Sequence, residues 1–172
     1  MEFLATGFPG LLVLKPHIFS DQRGYFFESY NEKKLADGGI RCHFVQDNQS
    51  KSVYGVIRGL HYQIEPYAQS KLVRVLAGTI RDIVVDIRKG SPAFGKAYSI
   101  ELSCENKLQI FVPKGFAHGF SVLSEEAVVL YKTDNFYNPS AERGIRYNDP
   151  VLAIDWGIPE PNAIVAMRDN AF

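Results

Sequence analysis

The chain has 172 residues, nineteen basic and nineteen acidic side chains, and no apolar run approaching the roughly 18 residues that a membrane-spanning helix requires. That balance excludes a broad nucleic-acid or anionic-membrane surface, so any anion binding must rest on local positive charge. Cys42 and Cys104 are far apart, and Met1 to Ala5 shows no basic segment leading into an apolar core, which together point to a reducing, cytoplasmic home.

The length suits one domain over 1–172, large enough to bury roughly 70% of the surface of its unfolded chain. In chain order, Leu11 to Phe19 is extended and apolar, and it ends at Ser20-Asp21-Gln22-Arg23-Gly24, a polar turn with glycine where φ is expected to be positive. Gly24 to Tyr30 resumes as a strand. These two stretches carry more apolar surface than a lone edge leaves exposed, which predicts that they pair with a second copy. Asn31 is a helix cap, the residues to Asp37 are helix formers and Gly38-Gly39 is a stop, so one short helix is expected. Strands are predicted over 44–50, 55–63, 71–76, 80–87, 97–102, 108–112, 116–123 and 127–134, with Gly, Pro, Asn or Ser between them. Many short strands separated by turn signals predict an all-β sandwich or barrel with one or two short helices. From about residue 138 the chain is Pro-rich and irregular, and Trp156 is the expected anchor that fastens this stretch to a sheet.

Period-two phasing assigns faces. Lys71 shares a face with Val73 and Val75 and is expected inward; Tyr131 shares one with Val129; Asp82 and Asp86 share one with Val84. For Asp86 and Arg74 a solvent-facing position is expected. Inward polar groups need partners or work to do, because burial without a hydrogen bond is costly.

Gly55 to Gln63, Gly-Val-Ile-Arg-Gly-Leu-His-Tyr-Gln, sets Arg58 and His61 in a strand between glycines, which mark a bend, a bulge or a closely approaching ligand. Taken alone, His61 is either a hydrogen-bonded core histidine or a functional one. The same choice stands for His118 in Pro113 to Phe120, where it is in phase with Phe116, Phe120 and Val122. The spacing of Gly55, His61 and Gly78, followed by Pro-x-Gly-x-x-His, resembles the two-part signature of the cupin superfamily, which implies a jelly roll. Gln63 stands where metal-binding cupins carry a second histidine, and two histidines with a glutamine make a poor metal site. No metal and no cofactor are expected.

Further blocks narrow the resemblance. Asp21 to Glu28, Gln46-Asp47-Asn48, Arg58 to Gln63, Lys71, Val85 to Pro92, Pro113 to Phe120 and Leu130 to Thr133 together resemble the dTDP-4-dehydrorhamnose 3,5-epimerase family over about residues 10–169. The resemblance implies a cofactor-free homodimer with N-terminal strands exchanged between subunits. The implied reaction inverts C3 and C5 of dTDP-4-dehydro-6-deoxy-D-glucose; a relative inverting only one of these carbons would share nearly every motif.

Both carbons lie α to a ketone, so the chemistry needs a base, an acid on the opposite face and a donor for the enolate oxygen. By resemblance His61 is the base, Asp169 the carboxylate that orients it, Lys71 the oxyanion donor and Tyr131 the acid. Read without the resemblance, Asp169 is a solvated tail residue and Tyr131 an ordinary buried tyrosine. Arg23, Phe26, Glu28, Gln46, Asn48, Arg58, His118, Tyr137, Glu142 and Arg168 are the implied substrate contacts, the arginines suiting a diphosphate and the Tyr137 ring a stacked thymine. The family's usual Ser-x-Lys-Asp stands here as Ala166-Met167-Arg168-Asp169, which keeps the positive charge.

Overall fold

The computed structural model describes residues 1–171, and its strands pair antiparallel except for one short C-terminal pairing. Before the first predicted element the chain already forms a strand, β1 (Glu2–Ala5), which pairs with β2 (Leu12–Lys15). The single run expected over Leu11 to Phe19 is broken at Pro16, which has no N–H to give a ladder, and β3 (Ile18–Asp21) turns instead through Gly24 into β4 (Gly24–Phe27), forming a separate hairpin. The predicted helix is α1 (Glu32–Asp37): Asn31 Oδ1 accepts from the Lys34 N–H at 3.0 Å, and Leu35 is its buried anchor.

The remaining strands form the two faces of a sandwich. β5 (Gln46–Val53), two residues later than expected, leads into β6 (Val56–Gln63), β7 (Lys71–Ala77), β8 (Thr79–Asp86), β9 (Ala97–Ser103), β10 (Gln109–Val112), β11 (Phe116–Val122) and β12 (Glu126–Thr133). The first sheet runs β1-β2-β10-β7-β12-β5. The second runs β6-β11-β8-β9, extended beyond β6 by two short strands from the C-terminal stretch, β13 (Glu142–Gly144) and β14 (Ile164–Val165). The architecture is a cupin-type jelly roll, as expected, with its sheets not closed into a continuous barrel.

Two apolar clusters explain why the layers stay together. Between the sheets, Val73, Val75, Ile80, Val84, Phe116, Phe120, Val122 and Val129 pack as one core, each such side chain contributing about 1.5–3 kcal/mol when fully buried. On the far side of the second sheet, Ile57, Leu60, Ile83, Val85 and Ala117 pack under Trp156. The Trp156 indole N–H donates to the Tyr147 carbonyl at 2.7 Å, and the Ser121 hydroxyl donates to the Trp156 carbonyl. Trp156 therefore anchors the irregular C-terminal stretch as expected, and it delivers the last residues of the chain back to the edge of β6.

The solvent-facing position expected for Asp86 is not found. Asp86 is fully buried instead of facing solvent: Arg88 reaches back to it at 2.6 Å, and Ser91 Oγ donates to it at 2.6 Å, so the turn after β8 supplies the partners that burial demands. Arg74 is partly buried, its guanidinium 5.9 Å from the Phe27 ring centroid.

Candidate active site

β6 and β11 approach unusually closely, and the sequence makes that possible with two facing glycines. A Cβ on Gly59 would lie 2.6 Å from the Gly119 Cα, and one on Gly119 would lie 2.6 Å from the Arg58 carbonyl oxygen. With φ at 117°, Gly59 also adopts a backbone that side chains rarely tolerate. In this ladder His61 and His118 are cross-strand partners. Across the sandwich, Tyr131 is paired with Asn48 and Val73, while Lys71 and Gln46 both flank Thr133.

These positions line two adjoining cavities of about 380 and 550 Å³ that share His61, Lys71, Tyr131 and Arg168. Gln46, Asn48, Tyr137 and Glu142 belong to the smaller; Arg58, His118 and Asp169 belong to the larger. Period-two phasing thus placed Lys71, Tyr131 and His118 on the correct face.

Asp169, which local sequence would leave in solvent, is only 2% exposed. Its Oδ1 lies 2.7 Å from His61 Nε2, and its Oδ2 accepts from the Gly59 N–H at 3.3 Å. A carboxylate only accepts, so the shared proton sits on Nε2 and the imidazole lone pair on Nδ1. Burial holds His61 below the usual imidazole range, against the opposing pull of Asp169, so the neutral base predominates at pH 7. Burial raises the Tyr131 phenol above its usual range and keeps it protonated. Burial pushes Lys71 down to about 8, with Asp82 and then Glu142 pulling the other way. The cavity thus joins a neutral imidazole, a protonated phenol and a mostly charged amine.

At the outer end, Glu142 Oε2 accepts from the Tyr137 hydroxyl at 2.9 Å and from Arg168 at 3.3 Å. Gln46 Oε1 accepts from the Tyr137 N–H at 3.3 Å, and Arg58 Nε donates to Ser52 Oγ at 3.0 Å. Three expected contacts are not brought together with these. Arg23 and Phe26 sit on the exposed β3–β4 hairpin, where Arg23 pairs with Asp21 at 2.6 Å, and Glu28 pairs with Lys34 at 2.8 Å. Conversely, Tyr62, Gln69 and Ser50 line the cavities although no motif in the sequence marks them; the even-numbered phase of β5, shared with Gln46 and Asn48, is the signal for Ser50.

Gln63 is engaged at both ends of its amide, donating to the Tyr67 carbonyl at 2.8 Å and accepting from the Asn138 N–H at 2.7 Å. Both histidines of the cavity are tied to carboxylates, His118 Nε2 lying 2.8 Å from Asp82 Oδ2. Among the described residues no three His, Cys, Asp or Glu side chains converge as a metal site.

Comparison with known proteins gives a consistent neighbourhood. A family profile described as dTDP-4-dehydrorhamnose 3,5-epimerase matches residues 5–172. A dTDP-4-dehydrorhamnose 3,5-epimerase of Shigella flexneri is 52% identical over 94% of this chain and 90% of its own length. The crystal structure of the enzyme so named from Elizabethkingia anophelis NUHP1 superposes with a TM-score of 0.95 at 53% identity, covering 99% of this chain and 93% of that one. A Legionella pneumophila dTDP-6-deoxy-D-glucose-3,5-epimerase, solved in complex with dTDP-4-keto-L-rhamnose, gives a TM-score of 0.94 at 47% identity over 99% of this chain and 90% of its own.

Proposed function

We infer from the dTDP-4-dehydrorhamnose 3,5-epimerase family, to which this chain belongs, that the protein is an isomerase converting dTDP-4-dehydro-6-deoxy-D-glucose to dTDP-4-dehydro-L-rhamnose. The observation that carries the division of labour is the His61–Asp169 pair facing Lys71 and Tyr131 across one cavity. His61 takes the proton from C5 or C3, the C–H electron pair becomes the enolate and negative charge collects on O4. Lys71 stabilises that oxygen. Tyr131 gives its proton to the opposite face of the same carbon, the ketone re-forms and the configuration is inverted; the His61 imidazolium then releases its proton to solvent, the Tyr131 phenolate takes one up, and repetition at the second carbon completes the reaction. Asp169 holds the His61 ring in the tautomer and orientation that a base needs.

Arg58 and Arg168 are suited to the diphosphate and Tyr137 to the base ring, with Gln46, Asn48, His118 and Glu142 completing the contacts. Arg23, Phe26 and Glu28 are assigned to the neighbouring subunit's site in a homodimer. The exposure of Phe19 (59%), Tyr25 (61%) and Phe26 (69%) on one small hairpin supports that assembly. The unpaired thiols of Cys42 and Cys104 accord with a cytoplasmic location. The engagement of Gln63 and of both histidines supports chemistry without a metal.

Proton NMR of the dTDP-linked 4-keto sugar in heavy water tests the reading. Deuterium entering both C3 and C5, with the L-configured product formed, is expected; exchange at one carbon alone would make this a single-site epimerase. Sedimentation of the active enzyme as a monomer would overturn the shared site.

A further inference from the structure

We propose that Arg168 tunes the base by changing partners: its guanidinium rests on the Glu142 and Asp169 carboxylates, and the substrate's diphosphate draws it off Asp169, so that the nucleotide strengthens His61 as it binds. The inference rests on the reading of His61 as the base and of Arg168 as a diphosphate contact.

An unbroken run of polar contacts joins the outer end of the site to the base. The Tyr137 hydroxyl donates to Glu142 Oε2 at 2.9 Å, and Arg168 Nη1 donates to the same oxygen at 3.3 Å. Arg168 Nε lies 3.4 Å from Asp169 Oδ1, and that oxygen is 2.7 Å from His61 Nε2. Among the described residues Arg168 is the only lysine or arginine within ion-pair reach of the Asp169 carboxylate. It spans the two carboxylates because Nη1 and Nε are separate donors on one rigid plane. Both contacts are long beside the roughly 2.7–2.9 Å of a strong charge-assisted bond, and the Arg168 side chain is 57% exposed. Its departure strands neither carboxylate: Glu142 keeps Tyr137, and Asp169 keeps His61 and the Gly59 N–H. A diphosphate offers a guanidinium several charged oxygens at once and is the stronger claimant.

The direction follows from charge. A guanidinium on Asp169 Oδ1 opposes a second proton on His61: burial is the largest influence lowering that imidazole, and the charges of Lys71 and then Arg168 add to it. When Arg168 turns to the diphosphate, Asp169 is left to the imidazole and the base becomes stronger. The other ionisable groups around His61 are held by different contacts. His118 on β11, its cross-strand partner, is bonded to Asp82 on β8, and Arg58 on β6 is bonded to Ser52. Lys71 on β7 and Tyr131 on β12 line the same cavity, and Glu142 on β13 is joined to the base through Arg168.

The test uses dTDP as the probe. The ring C–H signal of His61, one of four histidines in the chain and assigned by its loss in His61→Asn, is titrated with and without saturating dTDP in the wild type and in Arg168→Gln, with folding checked by circular dichroism. The charge of dTDP itself raises the His61 pKa in both proteins, and a guanidinium that stays in place leaves the two rises equal. A guanidinium that leaves Asp169 adds to the rise in the wild type. The expected excess in the wild type is about half a pH unit, below the shift of a fully buried neighbour because Arg168 is largely solvated. A rise in Arg168→Gln that equals or exceeds the wild-type rise overturns the proposal, while wild-type epimerisation then keeps the assigned function intact. A wild type that binds dTDP without epimerising its sugar conjugate defeats that function, and the two titrations still decide what Arg168 does. A wild type that does not bind dTDP overturns both. Should Arg168→Gln not fold or not bind dTDP, a crystal structure of the wild type with dTDP decides: Arg168 on the diphosphate and away from Asp169 supports the proposal, and a guanidinium still resting on Asp169 overturns it.

Discussion

Asp169→Asn removes one negative charge from the active site while leaving the side chain's shape. In the wild type the two carboxylate oxygens serve two donors, His61 Nε2 at 2.7 Å and the Gly59 N–H at 3.3 Å. Asparagine has only one acceptor oxygen. If that oxygen serves Gly59, the amide NH₂ faces His61, Nε2 becomes an acceptor and the ring proton moves to Nδ1, where it blocks the base. If the oxygen serves His61, the NH₂ confronts the Gly59 N–H and the buried pair of donors pushes the side chain away. Either arrangement costs the oriented general base, so kcat/KM is expected to fall by about 10²- to 10⁴-fold, equivalent to about 3–5 kcal/mol of transition-state stabilisation. The pH dependence has a definite sign. Burial already lowers the His61 pKa and Asp169 opposes that shift, so removing the charge lowers it further and the acidic limb of kcat/KM moves to lower pH. The assay is deuterium exchange at C3 and C5 followed by NMR as a function of pH, in which both carbons should lose exchange by the same factor. Activity within about threefold of wild type, well short of the loss expected for a misplaced base, or an acidic limb displaced upward, would refute the reasoning.

The other expectations address separate parts of the site. Tyr131→Phe keeps the base, so exchange should survive while inversion falls by something on the order of 10²-fold; equal loss of both would remove Tyr131 from the acid role. Lys71→Ala destabilises the enolate itself and should slow exchange and inversion together by about 10²- to 10³-fold, whereas a change confined to KM would make Lys71 a binding residue only. Exhaustive chelation should leave turnover unchanged, and recovery of a lost activity by one added metal would contradict the mechanism. Trp156→Ala removes the anchor under the second sheet and should cost about 3–5 kcal/mol in urea denaturation; a cost below about 1 kcal/mol would show that the C-terminal stretch does not depend on that ring.

Much of the architecture follows from local chemistry that any reader of the sequence can apply. Asn31 and Gly38-Gly39 bound the helix because a capping oxygen and glycine end groups are short-range requirements. Lys71, Tyr131 and His118 point into the sandwich because side chains alternate along a strand and their in-phase neighbours are apolar. What local chemistry does not reach is any contact set by a distant partner. Asp86 is buried because the turn after its strand folds Arg88 back onto it, and an alternation pattern cannot distinguish a charge facing water from one facing its own counter-ion. Arg23, Phe26 and Glu28 lie apart from the cavities, since strand phase does not determine whether a hairpin packs on its own sheet or reaches another copy. Asp169 is the clearest case. Its neighbours in sequence describe a polar tail, yet it meets His61 across a separation of 108 residues. That meeting is decided by Trp156 and the apolar face beneath it, which bring the end of the chain back to β6.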